Sequence, residues 1–190
     1  NKFTNIRAYK VLFDNFTNWF GPYPLWGSSL PYTNVGLTMH NLPLKEFLNI
    51  ISTYAEKYTN TKNEMKKSLQ RKKRVKAFKK FFSGGLGFEY WVGTIKSVDT
   101  DKDGDATVRI DLGIITLSNS SRKIKLSNYL FDTIAEMEIG DKVVIVGNFL
   151  EHKETLTTGW YLDSANPTEK GAMTSPIFMV GYNDIKRMNK

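Results

Sequence analysis

The sequence of 190 residues contains no cysteine, and histidine occurs only at positions 40 and 152. Without cysteine the chain forms no disulfide framework, zinc ribbon, iron–sulfur site or thiol nucleophile. His40 and His152 are far apart in the sequence and have no evident catalytic partner, so we expect both at the surface. The glycine-rich segment 83–87 lacks the lysine of a phosphate-binding loop. We therefore expect no enzymatic activity, no catalytic residue and no cofactor.

Long apolar runs are absent as well. No run approaches the roughly 18 residues that span a bilayer, so we expect no transmembrane segment in this chain. The first residue is not methionine, which leaves two locations open. One is extracytoplasmic or membrane-anchored, with a signal or anchor removed, and the other is cytoplasmic.

Charge is divided unevenly along the chain. Residues 1–88 contain 15 basic and four acidic residues, whereas residues 89–190 contain 12 basic and 15 acidic residues. Between Lys62 and Lys80 there are ten basic residues and a single acid, Glu64. We therefore expect the two halves to face different surroundings or partners.

Helical periodicity dominates the first half. Apolar residues recur every three or four positions over 3–20, and an irregular segment rich in aromatic residues follows over 21–38. Asn41 is a suitable N-cap for a second helix that runs to the glycines after Phe82. The apolar stripe of this helix shifts to nearly the opposite side after Leu69, which predicts either a bend near 70–74 or a change of packing partner there. The stripe consists of Leu44, Leu48, Ile51, Ala55, Tyr58, Met65 and Leu69.

The basic part of this helix, residues 62–80, is the first candidate binding element. Like charges at i and i+4 repel, so a purely structural helix gains nothing from cations placed all around it. A solvated helix surface explains them without a partner. The functional alternatives are nucleic acid and an acidic lipid or other polyanion. The candidate contacts are Lys66, Lys67, Arg71, Lys72, Lys73, Arg74, Lys76, Lys79 and Lys80.

Alternating apolar and polar residues in the second half predict a small barrel. We expect strands over 90–98, 106–112, 122–126, 142–150 and 177–185, a short helix over 130–137, and an extra hairpin strand over 155–162. The fold class is therefore α+β, with N-terminal helices followed by a small OB-like antiparallel β-barrel of order β-β-β-α-β-β. We assign residues 1–87 to a helical region and 88–190 to a barrel that folds alone.

Short motifs at turns and strand starts support this assignment. They are WVGTI at 91–95, DGDA at 103–106, LFD at 130–132, GDKV at 140–143 and GAMTSP at 171–176. Over residues 65–190 the chain resembles OB-like domains of uncharacterised bacterial proteins, in which a basic helix also precedes the first strand. The resemblance implies an OB-like fold and a bacterial source, and it implies no reaction.

The barrel offers a second candidate site, because OB-folds bind ligands on the face of strands 2 and 3 and on the adjoining loops. For Trp160 the alternative is that it only caps the barrel. The expected binding face consists of Arg109, Lys123, Lys125, Tyr129, Trp160 and Tyr161.

Four aspartates in the first barrel turn match the first half of an EF-hand calcium loop. They are Asp99, Asp101, Asp103 and Asp105. The position of the closing glutamate is Ile110, and the flanking segments are strands rather than helices. We expect a solvated hairpin turn that binds calcium weakly at most, and therefore no metal site.

Two hypotheses for function follow. The first is a non-enzymatic binding module of a bacterial protein, whose barrel docks a protein partner and whose basic helix contacts an anionic partner, with the cell envelope as one location. The second is a nucleic-acid-binding accessory protein that uses the basic helix 62–80 and the barrel face.

Overall fold

The computed structural model describes residues 42–150 and 168–188. The elements predicted over 3–20, 21–38 and 155–162, and the Asn41 cap, lie outside these residues. Within them the chain forms, in order, α1 (Leu44–Thr59), α2 (Glu64–Phe81), a 3-10 turn (Phe82–Gly84), β1 (Gly87–Thr100), β2 (Ala106–Asp111), β3 (Thr116–Ser118), α3 (Tyr129–Ala135), β4 (Lys142–Phe149), α4 (Glu169–Thr174) and β5 (Ile177–Arg187).

The five strands close into a barrel in the order β1-β2-β3-β5-β4, with β4 pairing back onto β1. The predicted α+β fold with a small OB-like barrel is confirmed. One pair differs from expectation, since β3 and β5 are parallel while the other pairs are antiparallel. A ring of five strands cannot alternate direction throughout, so at least one neighbouring pair must be parallel. The barrel is therefore mixed.

An aromatic cluster joins the helices to the barrel. The fully buried ring of Phe47 on α1 lies 5.7 Å from Phe78 on α2 and 5.6 Å from Trp91 on β1, measured between ring centroids. Phe149 and Phe178 each lie 5.1 Å from the same ring. The core is thus continuous across residue 87. The division into units 1–87 and 88–190 stays a prediction, and a barrel fragment would expose this shared cluster.

The break between the two helices lies earlier than the bend predicted at 70–74. α1 ends at Thr59 and α2 begins at Glu64, with the side chain of Asn63 accepting a hydrogen bond from the Lys66 amide at 3.1 Å. This cap restarts the helix with a new rotation, so the predicted apolar stripe does not continue into α2. Met65 is 84% exposed and Leu69 is 47% exposed. The predicted stripe places both on the buried side, so the prediction is wrong for these two residues.

The third strand also lies earlier than predicted. β3 covers only residues 116–118, and the expected strand over 122–126 contributes one isolated bridge between Ile124 and Ala106. The bridge is a pair of backbone hydrogen bonds of 2.8 and 2.9 Å. Ile124 points into the core while its neighbours are exposed, which accounts for the alternation in the sequence.

Asn119 fills the gap between β3 and this bridge. Its side-chain Oδ1 accepts a hydrogen bond from the Val108 amide at 2.6 Å, and its Nδ2 donates to the Ala106 carbonyl at 3.2 Å. A fully buried side-chain amide thereby continues the ladder on β2 in place of a peptide group. The chain from 120 to 123 therefore leaves the β2 ladder before rejoining it at Ile124.

Replacing Asn119 with alanine is expected to destabilise the barrel. The substitution leaves the buried Val108 N–H without its acceptor, which costs about 1–3 kcal/mol of unfolding free energy. Urea denaturation of the full chain measures this loss. The matched control is Asn183→Ala, since Asn183 is exposed and its hydrogen bond with Tyr129 uses the backbone carbonyl. Equal urea midpoints for the two variants would contradict the role given to Asn119.

Candidate functional site

The cations of α2 divide into an outer and an inner set. Six lysines are exposed, and at about 100° per residue they fall within an arc of about 140° on one side of the helix. Cations do lie all around the helix, as the sequence predicts, but the exposed ones occupy only this side. We call this surface the lysine face; it consists of Lys66, Lys72, Lys73, Lys76, Lys79 and Lys80.

Arg74, predicted as an anion contact, belongs to the inner set. Its side chain is fully buried, and its Nη1 donates to the carbonyls of Ala172 at 2.9 Å and Met173 at 3.3 Å. These carbonyls lie in the last turn of α4, where a helix leaves its own C=O groups unpaired. Arg74 is therefore a structural cap of α4 and is not available to a partner.

The buried guanidinium of Arg74 remains charged. Its carbon atom Cζ lies 5.5 Å from the centroid of the Phe78 ring, in a cation–π arrangement. Burial lowers the pKa of Arg74 to about 10, still well above neutral pH. The positive charge therefore faces the carbonyl dipoles at the C-terminal end of α4, the favourable end for a cation.

Arg71 and Lys67 complete the inner set. Arg71 forms an ion pair with Glu169 at the start of α4, and its side chain is 20% exposed. Lys67 donates to Glu64 at 2.6 Å and lies 5.6 Å from the centroid of the Tyr58 ring on α1. The hydrogen bond that Lys67 donates to Glu64 is the main cause of the raised pKa of Lys67. Both cations have partners inside the fold, so they contribute little to the outward field.

The sequence contained a signal for this division that composition alone does not show. Lys67, Arg71, Arg74 and Phe78 follow one another at steps of four, three and four residues, which places them on one side of a helix. The last member is a buried aromatic residue. A row that ends on such an anchor faces the core, and the lysines outside it face solvent.

On the barrel, two of the predicted contacts pair with the predicted calcium ligands. Lys123 Nζ lies 2.7 Å from Asp101 Oδ2, and Lys125 forms an ion pair with Asp105. Two residues of the predicted binding face therefore pair with two of the four aspartates at the turn between β1 and β2.

Asp101 also organises the turn itself. Its Oδ1 accepts hydrogen bonds from the backbone amides of Asp103 at 2.9 Å and Asp105 at 3.0 Å. The hydrogen bond that Lys123 donates is the main cause of the lowered pKa of Asp101, and the hydrogen bonds from these two amides lower the pKa further. In residues 42–150 and 168–188, no three His, Cys, Asp or Glu side chains are grouped so that they hold a metal ion. Asp99 and Asp103 are exposed.

Two exposed tyrosines mark another part of the barrel surface. Tyr129 is 70% exposed and donates its hydroxyl hydrogen to the Asn183 carbonyl, which fixes the ring against β5. Tyr90 is 72% exposed and has a φ of 57°, unusual for a residue other than glycine. Both phenols lie within electrostatic range of Lys186. Arg109 is half-buried on the outer side of β2, and Trp160 and Tyr161 lie outside the described residues.

The chain matches no protein-family model, no curated protein and no solved structure. The strand order is consistent with an OB-like fold, whereas the resemblance to bacterial proteins finds no support in these comparisons. None of the helices in the described ranges has the length and apolar character needed to cross a bilayer.

The division of the α2 cations predicts that removing a charge has unequal effects on the free energy of unfolding at inner and outer positions. Arg74→Met removes the donor to two buried carbonyls and is expected to lower the unfolding free energy by at least about 2 kcal/mol. Lys73→Met, which removes an exposed charge, is expected to change it by less than about 0.5 kcal/mol. Urea denaturation of the full chain compares them. A smaller loss for Arg74→Met than for Lys73→Met would show that Arg74 is not a structural cap.

Proposed function

We propose that this protein is a non-enzymatic binding module whose lysine face contacts an anionic partner carrying phosphate groups. The observation that carries the proposal is the separation of cations on α2. Arg71 and Arg74 make contacts inside the fold, while six lysines are exposed on one side of a helix that is packed against the core.

The electrostatics of this face favour a polyanion. Lys72, Lys76 and Lys80 repeat at i and i+4, a spacing at which like charges repel. No acidic residue occurs between Glu64 and Glu89 in the sequence, so α2 itself places no acid among these lysines. A polyanion lowers the repulsion and gains attraction from several lysines at once. Because α2 is already packed against the core, binding requires no folding of the helix and loses little conformational entropy.

Nucleic acid, the alternative that the sequence also suggests, is one candidate for this anionic partner. The phosphate backbone of DNA or RNA suits the lysine face, since such contacts require charge and no base recognition. On the barrel side, however, Lys123 and Lys125 already pair with acidic residues. The support for this candidate therefore rests on the helix.

We also propose that the barrel docks a protein partner at the surface around Tyr90 and Tyr129. Tyrosine is enriched among the residues that dominate protein interfaces, and a fixed ring loses little entropy on binding. The hydrogen bond to Asn183 fixes Tyr129 in this way.

The docking proposal predicts a position-dependent crosslink. A photoreactive phenylalanine analogue at position 90, which leaves Tyr129 intact, is expected to give one crosslinked product of defined mass, which excess unlabelled protein suppresses. The same analogue at Lys102, exposed in the turn between β1 and β2, is the control and is expected to give none. Equal products from both positions would count against this docking surface.

The anionic-partner proposal predicts a steep dependence of affinity on salt. Fluorescence anisotropy measures binding to inorganic polyphosphate and to single-stranded DNA of matched charge. If four lysines are engaged, the logarithm of the DNA affinity is expected to fall with log[salt] at a slope of about −3, or about −0.7 per contact. Replacing Lys72, Lys73, Lys76 and Lys80 with glutamine is expected to abolish most of this dependence.

The control variant replaces Lys96, Lys102, Lys142 and Lys170 with glutamine, which removes the same charge from exposed positions outside α2. It is expected to retain most of the affinity. Equal losses of affinity in the two variants would mean that binding depends on net charge alone and not on the lysine face. Absence of polyphosphate binding at about 50 mM salt, where phosphate contacts are strongest, would refute the proposal.

A further inference from the structure

We infer that the lysine face docks onto a membrane surface of acidic phospholipid, with Met65 and Leu69 entering the interface. This inference rests on the proposed contact with an anionic partner and names its class. Three observations favour a bilayer over a nucleic-acid backbone.

The first observation is the position of the exposed apolar residues. Met65 and Leu69 lie about 40° apart within the arc of the lysine face, given about 100° per residue. Met65 is 84% exposed and Leu69 is 47% exposed, so the packing of α2 against the core does not account for these two apolar side chains. A helix with apolar side chains in contact with the acyl boundary and lysines at the headgroups binds an interface. A phosphate backbone offers no apolar layer to receive them.

The second observation is the type of the outward cations. Every exposed cation of α2 is a lysine, while the two arginines of the helix, Arg71 and Arg74, face α4. Arginine is the residue suited to bidentate phosphate recognition in nucleic acids. Lysine is a point charge on a long apolar stem, and such stems lie along an apolar surface while the ammonium stays in water. Acidic membrane surfaces attract lysine and arginine clusters without fixed geometry.

The third observation is that the core fixes the rotation of α2. The buried contacts of Arg74 and Phe78 hold the opposite side of the helix, so the face cannot turn inward without exposing them. From Met65 to Lys80 the helix is about 22 Å long at 1.5 Å per residue. This length allows the apolar residues near its start and the lysines along it to contact one flat surface together.

The test uses the full chain and large unilamellar vesicles. Sedimentation is expected to show binding to phosphatidylcholine vesicles that contain about 30% phosphatidylglycerol, and none to phosphatidylcholine alone, because lysine clusters require acidic lipid. The double variant Met65→Ser, Leu69→Ser is expected to lose about tenfold or more in partitioning, from the apolar area withdrawn from the interface. Its affinity for polyphosphate is expected to be unchanged.

A depth probe adds a second readout. In the Met65→Trp variant, the fluorescence of the added tryptophan is obtained by subtracting the emission of the parent protein. On acidic vesicles this emission is expected to shift to the blue and to be quenched by brominated lipid. The control Ile139→Trp, at an exposed position just before β4, is expected to show neither effect. Circular dichroism and thermal melting confirm that the variants fold, which is expected because these side chains are exposed.

Each outcome decides between the claims. If acidic vesicles fail to bind while polyphosphate or single-stranded DNA binds through the lysines, the membrane inference is overturned and the contact with an anionic partner stands. If vesicles bind but the serine variant partitions like the parent protein, the lipid acts only as a polyanion and the insertion of Met65 and Leu69 is refuted. If neutralising the lysine face changes binding to no probe, the proposed function itself fails.

Discussion

The orientation of α2 depends on one buried cation. Moving a guanidinium out of water is costly, and Arg74 recovers that cost only where the carbonyls of Ala172 and Met173 accept its hydrogen bonds. Rolling the helix by one residue, about 100°, would remove Arg74 from these carbonyls and carry part of the lysine face toward the core. The buried contact therefore selects a single rotation. The surface properties of the module are a consequence of an interior hydrogen-bond arrangement.

The helices and the barrel depend on each other for burial. Phe47 lies among rings contributed by α2, β1, β4 and β5, and the indole N–H of Trp91 donates to the Leu42 carbonyl at 2.9 Å. The barrel provides a rigid wall, and α1 covers one part of its aromatic core. This arrangement explains how a small barrel presents a long basic helix without a flexible connection in the described residues.

Much of the barrel was predictable, because strands with one buried and one solvated face leave a period of two in the sequence. β2 and β4 show it clearly, and α3 was expected within two residues at each end. β3 was not predictable from periodicity, since all three of its residues are buried and its ladder is continued by the side chain of Asn119. The parallel pair follows from closure, which no local pattern encodes.

The lysine face was predictable as a cluster but not as a face. Charge counts treat Arg74 and Lys73 alike, and the groups that bury Arg74 lie 98 and 99 residues further along the chain. Likewise, the predicted ligands Asp101 and Asp105 could not be matched with Lys123 and Lys125 before the turn and the bridge at Ile124 were placed. Contacts at such separations are set by topology rather than by sequence spacing.

The interior of the barrel also contains a built-in limit to stability in alkali. The hydroxyl of Tyr182 is buried and has no hydrogen-bond partner among the described residues, and burial raises the pKa of its phenol. Once the pH exceeds about 10, the unfolded chain releases a proton that the folded barrel retains, so the free energy of unfolding falls by about 1.4 kcal/mol per pH unit from this group alone. Its ionisation is therefore tied to opening of the barrel, so alkali acts on this fold through a group in its interior.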